Sequence, residues 1–393
     1  MDYPLTPPSV AGDDPPPGYP AARAVSSVVR AYFAGCGIGN HDGTDREAAV
    51  VPDERTIEAM ISAGFWASLR REEGRSPRIS LAYLPPGPAE TRASFGRPLP
   101  LDPGLLAKVA PAVERPGIHL GVWPREDGEL AAWGATYRLP RNCFVLEVIE
   151  PGLLVVKRRR HREDDKFANV AVLQGDQVKI VDERGSGLAD GLPAIAASFG
   201  FASSRAWADR LNVAVQLALS MRAHGRGGLL LVVPQGSGDW RESVVQPIAY
   251  PVDPPFAALA RLLEGRPAPD DEAEWRDRLH RLVSSIAGLT AVDGATVITD
   301  AYELLAFGVK IRRRPRSPQV ERVVTMEPVV GSRPAAVDPT QLGGTRHLSA
   351  AQFVQDQHQA MALVASQDGR FTVFGWAPGD GAVHAHRVEA LLL

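Results

Sequence analysis

The run "LLLVVP" at 229–234 is five branched aliphatic residues in a row, closed by a proline. It is too short for an ordinary helix and has no polar face. A strand buried on both faces satisfies it, which requires apolar layers above and below its sheet. The neighbouring sequence supplies them. "AWADRLNVAVQLALSMRAHGRGG" reads as an amphipathic helix with a glycine stop, and "PFAALARLLEG" and "DEAEWRDRLHRLVSSIAGL" read as two more helices around an acidic loop. "GATVITD", "ELLAFGVKI", "MALVASQ" and "FTVFGWA" read as strands. Alternation of this kind predicts an α/β domain with a mixed sheet flanked by helices.

The rhythm before residue 200 is different. "AARAVSSVVRAYFA" and "DERTIEAMISAGFWASLRREEG" carry helical spacing, the second with Ile57, Met60, Ile61, Phe65 and Leu69 on one face and a start near Pro52-Asp53. Short β-like runs follow: "RISLAYL", "GIHLGVW", "CFVLEVI", "GLLVVKR", "NVAVLQ" and "QVKIVDE". They predict an α+β domain whose sheet is largely antiparallel. The domain expectation is a proline-rich disordered tail over 1–22, a mixed α+β domain over 23–200 and an α/β domain over 201–393.

Composition excludes several classes. The 43 Lys plus Arg against 46 Asp plus Glu give a net charge of −3, which makes nucleic acid an unlikely partner. The basic runs at 157–162 and 310–316 suit solvated faces or loops. No apolar run approaches the roughly 18 residues of a membrane helix. The acidic start "MDYPLTPPSVAGDD" lacks the regions of a signal peptide, and Cys36 and Cys143 do not make a disulfide framework. The expectation is a cytoplasmic protein without a membrane partner.

Motif by motif, "GCGIGN" at 35–40 has dinucleotide-loop spacing but follows a helix rather than a strand, which argues against a cofactor there. His384 and His386 alternate on a terminal strand and suit an exposed face. The charges of "FWASLRREEGR" suit a solvated helix face. "GGTRHLSAA" at 343–351 is a glycine-rich turn opening a helix, where free N–H groups and an arginine suit an anion; it also suits a plain solvated helix start. "DGATVIT" at 293–299 places Asp293 in a turn before a strand, fit for a divalent metal or a ribose hydroxyl, or for an ordinary turn. Together they supply a carboxylate and a phosphate-binding turn, the parts of nucleotidyl transfer.

In order and context, "GGLLLVVP", "DGATVIT", a strand ending "FGVKI", "GGTRHLSAA" and "ALVASQDGRFTV" resemble the diadenylate cyclase (DAC) domain, also found in DNA-integrity scanning proteins. The resemblance spans roughly residues 205–378. The residues ahead of it look like the sensor domains fused to such cyclases. The resemblance implies condensation of two ATP into cyclic di-AMP and two pyrophosphates with Mg²⁺ or Mn²⁺. It also implies a face-to-face homo-oligomer, since each copy brings one ATP. It assigns Asp293 to the ribose 3′-hydroxyl and metal, with Gly294 and Ala295 lining the nucleotide pocket. Gly344 and Thr345, with the catalytic Arg346 and His347, would hold the triphosphate and its metal, and Asp368 would be a further metal ligand. Two departures bear on activity: Leu348 stands where the family motif has a second arginine, and Gln367 where an acid is common. Arg312, Arg313 and Arg314 are candidates to compensate. The alternative is a degenerate domain that binds a nucleotide or cyclic dinucleotide without turnover.

Overall fold

Two sheets, each backed by helices, organise the chain, which divides into two compact units between Ile180 and Val181. The computed structural model describes residues 18–37, 49–87, 92–160, 167–182, 213–265 and 271–393. The boundary expected near 200 lies outside the described residues, as do residues 1–17 of the expected tail. The tail does not extend to 22: Tyr19 is buried and α1 begins at Pro20.

The first unit holds α1 (Pro20–Gly37), α2 (Glu54–Ser68) and α3 (Pro103–Val109). Its strands are β1 (Ile79–Tyr83), β2 (Arg92–Pro100), β3 (His119–Pro124), β4 (Leu130–Thr136), β5 (Phe144–Glu150), β6 (Leu153–Arg159), β7 (Phe167–Gln174) and β8 (Gln177–Ile180). They form one eight-stranded sheet in the order β2-β4-β3-β1-β5-β6-β7-β8. Only β1 and β3 run parallel, so the sheet is largely antiparallel.

Helix α2 begins where Asp53 caps it, its carboxylate accepting the Thr56 N–H at 2.7 Å. Ile57, Met60 and Ile61 form its buried stripe, packed in one core with Phe33 of α1 and with Leu81, Leu146 and Leu154 of the sheet. Gly64 allows the close approach, since a Cβ there would lie 2.8 Å from Leu146 Cδ2. The helix stops at Ser68, so the charges after it lie on a turn closed by the Glu72–Arg75 bridge and not on a helix face. A smaller core with Trp133, Leu139 and Cys143 covers the opposite side of the sheet. Burial pushes the Cys143 thiol up to about 12, which keeps it an inert packing group.

The second unit contains α4 (Val213–Ala223), α5 (Ala258–Glu264), α6 (Glu272–Leu289) and α7 (Thr345–Asp356). Its strands are β9 (Gly228–Val233), β10 (Tyr250–Phe256), β11 (Ala295–Thr299), β12 (Leu304–Val309), β13 (Val323–Met326), β14 (Ala335–Val337), β15 (Met361–Ala365), β16 (Phe371–Ala377) and β17 (Ala382–Arg387). The nine strands follow the order β10-β12-β11-β9-β15-β16-β17-β13-β14. The sheet is mixed: β9 runs parallel to β11 and β17 parallel to β13. Leu230 of β9 packs toward α4 and α6, while Leu229, Leu231 and Val233 pack with α7. That alternation is the three-layer arrangement the aliphatic run requires.

His384 and His386 are buried, at 2% and 0% exposure, and not on an open face. β17 lies between β16 and β13, and α7 packs over that part of the sheet. His384 pairs with Asp380 at 2.7 Å, whereas neither ring nitrogen of His386 has a partner among the described residues. Burial, with His384 alongside, drives the His386 imidazole down to about 3. The folded unit therefore binds fewer protons than the unfolded chain between about pH 6.5 and 3, so this contribution to stability is present above about 6.5 and lost on acidification. We expect about 2 kcal/mol less stability at pH 5 than at pH 7 from this group, at roughly 1.4 kcal/mol per unit below 6.5. His386→Leu should flatten that slope in urea unfolding at the two pH values.

Candidate functional site

Because β9 and β11 are parallel, they begin on the same edge of the sheet. The turns ahead of them, Gly225–Gly228 and Asp293–Gly294, therefore lie side by side. β12 ends there, with Val309 opposite Ala295, and so does β15, with Ala365 opposite Gly228. Ala295 is buried in the first position of β11. Gly294 has φ +119°, and a Cβ on it would lie 2.5 Å from the carbonyl carbon of Gly308. Backbone touches backbone there, which only glycine permits. Gly228 has a similar role against Thr290, whose hydroxyl would be 2.5 Å from a Cβ.

Helix α7 brings the second motif to this edge. Gly344 is its N-cap and offers no side chain, so the first-turn N–H groups near Thr345 have no side-chain cap. Arg346 is half-buried, and its Nη1 lies 2.9 Å from where a Cβ on Gly227 would be. Its guanidinium makes no hydrogen bond or ion pair among the described residues. Burial, then Arg226, lower the His224 pKa and Lys310 lowers that of Asp293; Arg346 is close enough to add to both. The aliphatic part of Gln367 borders the same Gly227 position at 3.3 Å, so Gln367 is a neighbour of Arg346.

Asp293 is 92% exposed and pairs with Lys310 at 2.6 Å. The hydrogen bond from Lys310, then its charge, hold the carboxyl below the usual carboxylate range, so it is ionised at neutral pH. His347 is buried on the first turn of α7, edge-on to Phe374 and folded back against Gly343, where a Cβ would be 2.5 Å from Nδ1. Burial lowers its pKa despite Asp368, so the ring is neutral at neutral pH. Asp368 ion-pairs with Arg370 at 3.2 Å; burial works against its charge, but hydrogen bonds from Ser366 and Arg370 prevail and keep it ionised.

The edge thus gathers Asp293, Gly294 and Ala295 with Arg346, and joins His347 to Asp368 electrostatically. Asp293, His347 and Asp368 are not drawn into one metal centre: among the described residues no three His, Cys, Asp or Glu side chains could hold an ion together. Leu348 packs against the core that includes Phe353 and Val364. Arg312 and Arg314 are tied to Glu242, the first through its carbonyl and the second through its carboxylate at 2.6 Å. Sequence reasoning missed Lys310 and His224. Lys310 opens the basic run at 310–316, but pairing with a residue seventeen positions earlier depends on the β11–β12 turn and not on local pattern.

Residues 46–137, within the first unit, match the family model described as "Probable sensor domain DACNV". That family is described as a probable sensor domain, of the kind fused to diadenylate cyclases. No curated protein matches the chain. Among the described residues no helix is long and apolar enough to cross a membrane.

The exposed Lys310–Asp293 pair is screened by solvent and adds little to stability, so Lys310→Ala should leave the denaturation midpoint nearly unchanged. Gly294→Ala, which drives a Cβ into the Gly308 backbone, should cost at least about 2 kcal/mol in the same assay.

Proposed function

We propose that the second unit is a diadenylate cyclase-like nucleotide site, under the control of the sensor module in the first. The observation that carries this reading is Arg346. A half-buried guanidinium without a hydrogen-bond or ion-pair partner among the described residues, beside an uncapped helix start, suits a phosphate group. Across the Gly227 turn it faces an ionised carboxylate, Asp293, which suits a ribose hydroxyl and a cation.

In this reading two copies meet face to face, each with one ATP, and each ribose 3′-oxygen attacks the α-phosphorus of the facing nucleotide, releasing pyrophosphate. Arg346 and the first N–H groups of α7 hold the triphosphate. Asp293 turns from Lys310 toward the 3′-hydroxyl. The oxygen donors fit Mg²⁺ or Mn²⁺, ions that take one or two carboxylates and complete their shell with phosphate oxygens and water. Asp293 would be the carboxylate ligand; the ion would neutralise the triphosphate charge. His347, buried and neutral, supports the turn from behind by packing on Gly343. Asp368 orders the Arg370 side of the same edge.

A second reading, nucleotide binding without turnover, has its own support: Leu348 is committed to the core, and Lys310 already neutralises Asp293. The experiment is mass spectrometry of products after incubating the full chain with ATP and Mn²⁺ or Mg²⁺, alongside calorimetric titration of ATP. Cyclic di-AMP is expected, with Asp293→Asn and Arg346→Ala each slowing its formation by about a hundredfold or more. Saturable ATP binding with no product selects the second reading. Absence of both ends the proposal.

A further inference from the structure

A cleft of about 710 Å³ opens in the first unit, and all its walls come from residues 53–130, inside the segment matched to the sensor family. That volume is in the range of small-molecule sites. One wall is the outer stripe of α2, where Arg55, Ala59, Ser62 and Trp66 follow at helical spacing. The opposite wall is the Pro100–Pro103 corner between β2 and α3 together with the β3–β4 hairpin, which brings Glu129 and Leu130. Tyr83, at the end of β1, completes it.

Two observations point to a ligand and to its charge. Tyr83 is only 7% exposed, yet its phenol makes no hydrogen bond among the described residues. The hydroxyl oxygen is not sealed from solvent, so at the cavity wall it is open to a ligand donor or acceptor. The lining charges are also unequal. Asp53 and Asp102 each use one oxygen on a backbone N–H, from Thr56 and Leu105, and among the described residues Glu129 makes no hydrogen bond or ion pair with its carboxylate. Of the two cations, Arg125 is already paired with Asp127 at 2.6 Å. Arg55 lies beside Asp53 and, after the Thr56 hydrogen bonds and together with Arg30, helps to hold that carboxyl ionised, so three carboxylates line the cleft against two arginines. Like charge makes such a cleft poor for phosphates and favourable for a cation, and the Trp66 and Tyr83 rings suit one carried on an apolar body.

We propose that this cleft is the ligand site of the sensor module and that it takes a small organic cation, an amine or guanidinium on a flat apolar body. The inference rests on the sensor reading of the first unit and does not depend on turnover in the second.

The test is ligand-observed NMR on the full chain with two probes of the same ring and chain length, 2-phenylethylammonium and 3-phenylpropionate. The ammonium should bind with Kd below roughly 1 mM and at least about tenfold more tightly than the carboxylate. Glu129→Gln and Tyr83→Phe should each weaken it about fivefold or more with the circular dichroism spectrum unchanged, whereas Arg55→Gln, which removes a like charge, should tighten it. Equal binding of the two probes, preference for the anion, absence of saturable binding, or indifference to Glu129→Gln would each overturn the proposal. A chain that binds the ammonium but makes no cyclic di-AMP leaves this inference standing and removes only the cyclase reading; product without ammonium binding does the reverse.

Discussion

The parallel pairing of β9 with β11 is the constraint on which the rest of the second unit depends. Parallel neighbours start on the same edge, so two glycine-bearing turns far apart in sequence are forced together there. Antiparallel β12 and β15 deliver their last residues to the same edge. The crowding is relieved by leaving out side chains: Gly294 rests on Gly308, and Gly227 makes room for Arg346. What remains is a surface made largely of backbone, from which Arg346 and Asp293 project beside the Asp368–Arg370 pair. Backbone-lined surfaces of this kind admit a phosphate closely, since no Cβ stands in the way.

The electrostatics of that edge are asymmetric. Among the described residues Asp293 has a partner and the Arg346 guanidinium has none. An exposed ion pair contributes little to stability and exchanges readily for another cation, so the contact with Lys310 does not fix the Asp293 carboxylate in place. A half-buried arginine without a partner is less comfortable, because the surrounding protein weakens its hydration without returning a hydrogen bond. The stabilisation it lacks is what an anionic ligand would add.

Much of this architecture was legible in the sequence, and what was missed has a physical pattern. Runs such as "LLLVV" and "ATVIT" announce themselves because both of their faces are buried. β2 was invisible because it is an edge strand with an almost wholly exposed pattern and two prolines. β4, "LAAWGAT", is too small-chained to read as apolar, and its glycine exists to let β2 approach: a Cβ on Gly134 would lie 2.3 Å from the Ala93 carbonyl. His384 and His386 read as surface because histidine usually is; only the position of β17 inside the sheet shows that they are core. The motif residues could be named from the sequence, but Lys310, the neutral state of His347 and the direction of Leu348 required the tertiary contacts.

The pairing of β1 with β5 has a consequence for how the first unit can be divided. The segment recognised by family similarity stops at residue 137, yet β1 hydrogen-bonds on its far side to β5, and α2 rests on Leu146 and Leu154 beyond that limit. A fragment trimmed at residue 137 would bare an unpaired strand edge and a greasy helix underside, and would invite aggregation. The portable module is therefore larger than its recognisable signature. Its β5–β8 meander is the structural support that the helix side of the sheet rests on, while the half that carries the cleft holds the matched segment.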